Sequence, residues 1–275
     1  MDNGLTNYEI VQIEGIKAWK KEEPGVVSHA IGAVVGPVAW LLRQIVPESA
    51  MRGALEACNA AGQYFADHGD LIRDAKVESI SELKSKRLET SDQLANECHN
   101  WAIGIAAAEG TAAGPFGFFA APVDIPALIT LAFRTIHKIG LCYGFEAKTE
   151  TDKQLVLSIL AASGANTLDE KAAAMVTITM LERTLITQTW KAMAEKTGSN
   201  ALGKEGAIIA IRNLAKQLGI NLTKRKALAA IPLIGALIGG TVNGWYISEV
   251  SWAARRVFQE RWLLENKRVT EITPD

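Results

Sequence analysis

Cysteine is scarce in this chain and odd in number: Cys58, Cys98 and Cys142 are the whole complement. So wide a spacing, with no C-x-x-C, offers neither a disulfide framework nor a zinc ribbon or redox motif. Each lies in an Ala/Leu-type helical stretch, where a small buried hydrophobe is the expected role. Aromatic residues make up only 7% of the chain, and alternation of apolar and polar residues never persists, which argues against a sheet. Charge of one sign is missing too: 29 Lys+Arg stand against 30 Asp+Glu. That balance excludes the basic footprint of a nucleic-acid binder. Met1-Asp2-Asn3-Gly4 carries none of the basic and apolar regions of a secretory signal, so cytoplasmic residence is the expectation.

Chemical motifs are equally sparse. The four histidines form no H-E-x-x-H or paired E-x-x-H, so no metal site is expected. Glu97 and His99 are neighbours in sequence but point apart on a helix. There is no G-x-S-x-G elbow, no Walker A loop and no strand-linked G-x-G-x-x-G. No cofactor and no catalytic residue are assigned.

What the chain does have is helix signal from end to end. A chain of 275 residues can bury about three-quarters of its unfolded surface and needs no disulfide or metal staple. Ala, Ile and Leu dominate the apolar 48%, a mixture that favours helices. Thr6 or Asn7 caps a first helix with Ile10, Ile13, Ile16 and Trp19 facing the core. Gly69 offers a left-handed helix end, and Ser79 with Glu82 reads as a capping box. A helix is predicted to start at Asp124-Ile125-Pro126 and to end at Tyr143-Gly144. Others are expected over 151–163, 168–196, 202–218 and 223–267, the last bent at Pro232. No repeat and no low-complexity linker divides the chain. The expected fold is all-α, a single multi-helix bundle over residues 1–275 with glycine-rich apolar central helices.

Three stretches carry no charge: Gly25–Leu42, Gly110–Val123 and Ala227–Ser248. A hydrocarbon core needs roughly 20 such residues in a helix, which only the third supplies unbroken. Gly32 and Gly36, Gly110 and Gly114, Gly235 and Gly239, and Gly240 and Gly244 repeat G-x-x-x-G, a spacing that lets another helix approach closely. Lys224-Arg225-Lys226 precedes the third stretch and Arg255-Arg256 follows it. Basic clusters beside an apolar helix attract anionic lipid, and Trp40, Trp101, Trp245 and Trp252 lie where interfacial aromatics would sit. Positive charge on both flanks gives no orientation, against a spanning helix. Both a bundle core and a bilayer surface satisfy the pattern. The expectation is a bundle that faces the membrane, peripheral at its inner surface.

Among single residues, Asp124 is the lone carboxylate of its stretch, a buried acid or head-group ligand on one reading and a helix N-cap on the other. Arg134, His137 and Lys138 share a helix face and could meet a phosphate or carboxylate, or complement the helix C-terminus. Arg255 to Arg268, with Glu260 and Glu265 interleaved, reads as a solvated face.

Three blocks carry a family resemblance: Glu14 to Trp19 near the start; Val123-Asp124-Ile125-Pro126-Ala127-Leu128, then Ile136-His137-Lys138-Ile139 and Cys142-Tyr143-Gly144 at the centre; and Ala230-Ile231-Pro232-Leu233-Ile234-Gly235-Ala236, Asn243 and Ala253-Ala254-Arg255 toward the end. They are similar, in that order, to the N-terminal, central and C-terminal signatures of the EcsC family. The family takes its name from a bacterial operon encoding an ABC transporter. The resemblance implies a bacterial, cytoplasmic α-helical protein working at the membrane, and carries over no cofactor or catalytic residue. The expected function is non-enzymatic membrane association or lipid binding. The alternatives are packing on a membrane transporter or self-association, and an enzyme with a buried acid at Asp124.

Overall fold

The computed structural model describes residues 4–22, 48–112, 117–165, 168–194 and 235–273, and for 48–52, 109–112, 117–126, 189–194 and 235–243 the backbone alone. Among them there is helix and no strand. The helices are α1 (Asn7–Lys21), α2 (Glu48–Phe65), α3 (Gly69–Ala75), a 3-10 turn (Ile80–Ser85), α4 (Leu88–Ala112), α5 (Gly117–Cys142), α6 (Glu150–Ser163), α7 (Leu168–Ala194) and α8 (Gly235–Glu265).

The ends of these helices follow from local chemistry. At α1, the Thr6 hydroxyl accepts from the Glu9 N–H at 3.2 Å, and the Glu9 carboxylate accepts from the Thr6 N–H at 2.7 Å. Two of the four N–H groups a helix start leaves over are thereby satisfied. Thr149 and Asp152 repeat the arrangement at α6, and Glu82 takes the Ser79 N–H at 3.0 Å. The far end of α1 is held from a distance: the Lys171 ammonium donates to the Trp19 and Glu22 carbonyls at 2.6 and 2.7 Å. After α5, Gly144 turns the chain at φ +83°, where a Cβ would stand 2.7 Å from the Lys84 backbone nitrogen. Only glycine meets both demands.

Four sequence expectations are corrected. Gly69 does not end a helix in the left-handed region but begins α3, and Lys76 takes that conformation instead, at φ 51°. Ile10 is 46% exposed, so the core edge of α1 passes through Ile16, with Ile13 and Trp19 beside it. The central helix starts at Gly117 and runs through Pro122, Asp124 and Pro126, so Asp124 is not its N-cap. In so apolar a stretch the main chain has few polar partners outside the helix, and a continuous helix supplies them internally. Arg255 to Arg268 is the fourth: Arg255, Gln259, Glu260 and Arg261 are all buried. The helices over 202–218 and 223–234 and the bend at Pro232 lie outside the described residues.

The core is one apolar cluster that gathers side chains from Ile16 to Ile272, with Phe133, Ile136, Ile139, Tyr143, Ile159 and Ile178 fully enclosed. At its centre α4 and α5 form a hairpin: Cys98 meets Cys142 and Trp101 meets Arg134. Helix α8 lies antiparallel along α4. Going down α8, Gly244 faces Ile103 and Ala107, Trp252 meets His99, Arg255 reaches Asn96, and Gln259 reaches Asp92. This register gives the bundle two ends. The late part of α4 and the early part of α8 run together toward one of them. Asp92, Tyr143 and Gln259 meet at the other.

Candidate functional site

At the closed end, Asp92 is 3% exposed and accepts from three side chains. The Tyr8 hydroxyl donates at 2.7 Å, the Gln259 amide at 2.8 and 2.9 Å to its two oxygens, and the Tyr143 hydroxyl donates as well. Burial, and the carboxylate beside them, push both tyrosines up, so they stay protonated donors. Gln12 extends the network, accepting from Gln259 at 3.2 Å and from Arg256 at 3.1 Å. Next to it Lys20 pairs with Glu260 at 2.6 Å, and Arg261 pairs with Asp152 at 3.2 Å and Glu265 at 3.0 Å. With its donors already committed, Asp92 is a structural anchor. Nothing in its sequence context, a polar first turn after Thr90, marked it as one.

The candidate binding region lies on another side, where α3, α4 and α5 enclose a cleft of about 260 Å³. Asp70 and Asp74 come from α3, Glu97, Cys98 and Trp101 from α4, and Arg134 and Lys138 from α5. Of the three residues predicted to share a face, two line this cleft. The Arg134 guanidinium lies 3.9 Å over the Trp101 ring and donates through Nε to the Phe65 carbonyl at 2.9 Å. A cation over a half-exposed indole stabilises both groups by about 1 kcal/mol. Lys138 is bound to the Asp70 carboxylate and the Asp67 carbonyl. His137 turns the other way. Its Nε2 bonds Asn59 Oδ1 at 2.8 Å in a buried position, and burial lowers its pKa to about 4. It is neutral near pH 7, and the cationic triad expected from sequence reduces to two cations.

Around the cleft mouth the surface is aromatic. Tyr64 is 84% exposed, Phe65 54% and Trp101 49%, and the first two rings meet edge to face at 5.5 Å. Arg134 joins the two sides: its Nε donates to the Phe65 carbonyl while its guanidinium covers the Trp101 ring. The spacing of Tyr64 and Phe65 gave no signal of this, because only the docking of α2 on α5 brings Phe65 to Arg134. That docking depends on Gly62: a Cβ there would stand 2.6 Å from Phe133 Cβ and 2.7 Å from the Arg134 nitrogen.

The remaining sequence candidates fall as follows. Asp124 is inside α5, its side chain among those not described. Trp245 is half-buried on α8. Gly244 is buried against Ile103 and Ala107 at 3.6 and 3.8 Å, ordinary contact for a Cβ placed there. Gly110, Gly235, Gly239 and Gly240 lie in α4 and α8 with backbone alone described. Gly32, Gly36, Gly114, Lys224, Arg225, Lys226 and Trp40 are outside the described residues. Among the described residues no group of three or more His, Cys, Asp or Glu is set to hold a metal ion, and no helix is long and apolar enough to cross a membrane.

Comparison with known proteins agrees with the blocks noted in the sequence. The EcsC protein family matches residues 11–263, and the chain belongs to that family. The uncharacterized protein YdbA of Bacillus subtilis (strain 168) is 20% identical over 217 residues, covering 76% of this chain and 74% of YdbA. No solved structure matches.

Proposed function

We propose that this EcsC-family protein binds a membrane surface or its lipid, without catalysing a reaction, and is peripheral at the inner membrane. The observation that carries the reading is the aromatic patch of Tyr64, Phe65 and Trp101 with Arg134 stacked on it. Aromatic rings with a cation beside them suit the boundary between head groups and acyl chains. The uncharged Gly110–Val123 and Ala227–Ser248 stretches support it, since α4, α5 and α8 carry parts of them toward one end of the bundle. Lys224-Arg225-Lys226 adds attraction for anionic lipid.

The test is co-sedimentation of the purified protein with phosphatidylglycerol vesicles. Binding is expected at low salt and should weaken as salt screens the basic cluster. Replacing Tyr64 and Phe65 by serine should weaken binding by at least tenfold, since each exposed ring withdrawn from lipid forfeits about 1 kcal/mol or more of apolar burial. Absence of binding to every vesicle at low salt removes the proposal.

A second reading rests on α7. Val176 and Met180, each 61% exposed, are one turn apart, and Leu168 on the same helix is 48% exposed. An apolar stripe of this kind suits a second copy or a membrane transporter as partner. Light scattering without detergent separates the two: a dimer that dissociates on Met180→Lys favours α7, and a monomer excludes self-association through it. For Asp124 as a buried acid the described residues add no support, and no reaction is proposed.

A further inference from the structure

Two of the three cysteines, 44 positions apart in sequence, are brought together by the α4–α5 hairpin: Cys98 Sγ and Cys142 Sγ are 3.7 Å apart. Their settings differ. Cys98 is half-buried and lines the cleft of about 260 Å³ that also holds Lys138 and Arg134. Cys142 is 0% exposed behind it, and its Sγ donates to the Lys138 carbonyl at 3.2 Å. One sulfur lines the cleft, with the cations Arg134 and Lys138 and the carboxylates of Asp70, Asp74 and Glu97 in the same lining, and the other is fully buried beside it. That is the arrangement of an attacking and a resolving thiol. The Cys142 thiol, whose one proton can turn from the Lys138 carbonyl to Cys98 Sγ, and the Lys138 ammonium lower the Cys98 pKa against burial and the Asp70 and Glu97 carboxylates, while burial raises that of Cys142. Ionisation therefore falls on the sulfur that faces the cleft.

We propose that Cys98 and Cys142 form a peroxide-oxidisable dithiol, a modification site in which Cys98 reacts first and Cys142 closes the disulfide. The Cys98 thiolate attacks one oxygen of hydrogen peroxide, the O–O bond breaks, and hydroxide leaves and is protonated to water. Cys98 is now a sulfenic acid. Cys142 gives up its proton, its sulfur attacks the Cys98 sulfur, the S–O bond breaks, and a second water departs. The two thiols lose two electrons, and one peroxide becomes two waters. The sulfurs must close to about 2.0 Å, a small movement of two side chains that already face each other. Reversal takes an added thiol, by exchange at the Cys98 sulfur that the cleft exposes. The dithiol shares its cleft with Trp101 and Arg134 of the proposed lipid-binding face, but its chemistry needs no lipid and its test is run without one.

The experiment treats the full chain with hydrogen peroxide at neutral pH, alkylates remaining thiols after unfolding, and maps tryptic peptides without reductant. A disulfide linking Leu88–Arg134 to Ile139–Lys148 is expected, lost on addition of dithiothreitol, with Cys58 still alkylated. In Cys142→Ser, dimedone should trap Cys98 as its sulfenic acid. In Cys98→Ser, Cys142 should stay a thiol. The proposal is overturned if both cysteines remain alkylatable in peroxide-treated wild-type protein whose circular dichroism is unchanged. It is also overturned if Cys142 oxidises as fast in Cys98→Ser as in the wild type.

Discussion

The two ends of the α4–α8 pair are built by opposite physics. Toward Asp92 the helices meet through buried polar groups: Tyr8, Tyr143 and Gln259 converge on one carboxylate, and Lys20 and Arg261 are matched to Glu260 and Asp152. Toward Gly244 they meet through apolar contact, Ile103 and Ala107 against a glycine backbone. A buried polar network specifies one geometry, because each misplaced group leaves an unsatisfied partner in a low dielectric. Small apolar contacts specify less and tolerate sliding. The first end is suited to fixing the fold, and the second leaves the spacing of the two helices less tightly prescribed.

That contrast is open to attack at the polar end first. Asp92→Ala leaves the buried Tyr143 and Gln259 and the partly buried Tyr8 without their acceptor and should cost about 4 kcal/mol, as removal of one member of a buried charged network does. Urea denaturation measures it, and a loss under about 1 kcal/mol would show that the network is not what fixes this end.

A smaller effect comes from pH, at His137 between the two ends. Its folded pKa of about 4 lies below the ordinary 6.5, so between those values the unfolded chain binds the proton and the folded chain does not. Stability is then fully present above about pH 6.5 and falls as pH drops toward 4, by about 3 kcal/mol. Denaturation midpoints across that window should show the slope, and His137→Asn should flatten it while keeping a partner for Asn59. An unchanged slope in the variant would place the acid sensitivity elsewhere, His99 being the other histidine whose pKa burial lowers to about 4.

The smallest and most discriminating pair of variants concerns glycine. Gly62→Ala drives a Cβ into the backbone of α5 and should destabilise by about 2 kcal/mol through overpacking. Gly244→Ala fills ordinary contact space and should stabilise by about 0.5 kcal/mol through helix propensity. Equal effects at the two positions would mean that the apolar end is packed as tightly as the rest. Thermal melts of both proteins decide it.

Local signals in the sequence were legible where the decisive contacts are local. Thr6, left open beside Asn7, Ser79 with Glu82, and Tyr143-Gly144 all act within a few residues, and each marks an element end in the structure. The run from Arg255 to Arg268 misled because charges interleaved along a helix look alike whether water or Lys20, Asp152 and Glu9 receives them. The cleft was half legible. Arg134 and Lys138 stood out by their spacing, but the same spacing enrolled His137, which points to Asn59 instead. Trp101, Cys98, Asp70 and the aromatic mouth come from other helices, and no spacing rule joins them.

By itself, then, the amino-acid sequence determined an all-α chain of the EcsC family, its main helix ends and its uncharged small-residue stretches. These follow from backbone propensity, capping and periodicity, all of which operate over one or two helical turns. Tertiary structure alone decided which charges are buried, which rings gather at the cleft mouth and which two sulfurs meet. Those outcomes depend on helix docking between residues 33 to 259 positions apart, and a linear pattern carries no term for the partner that docking supplies.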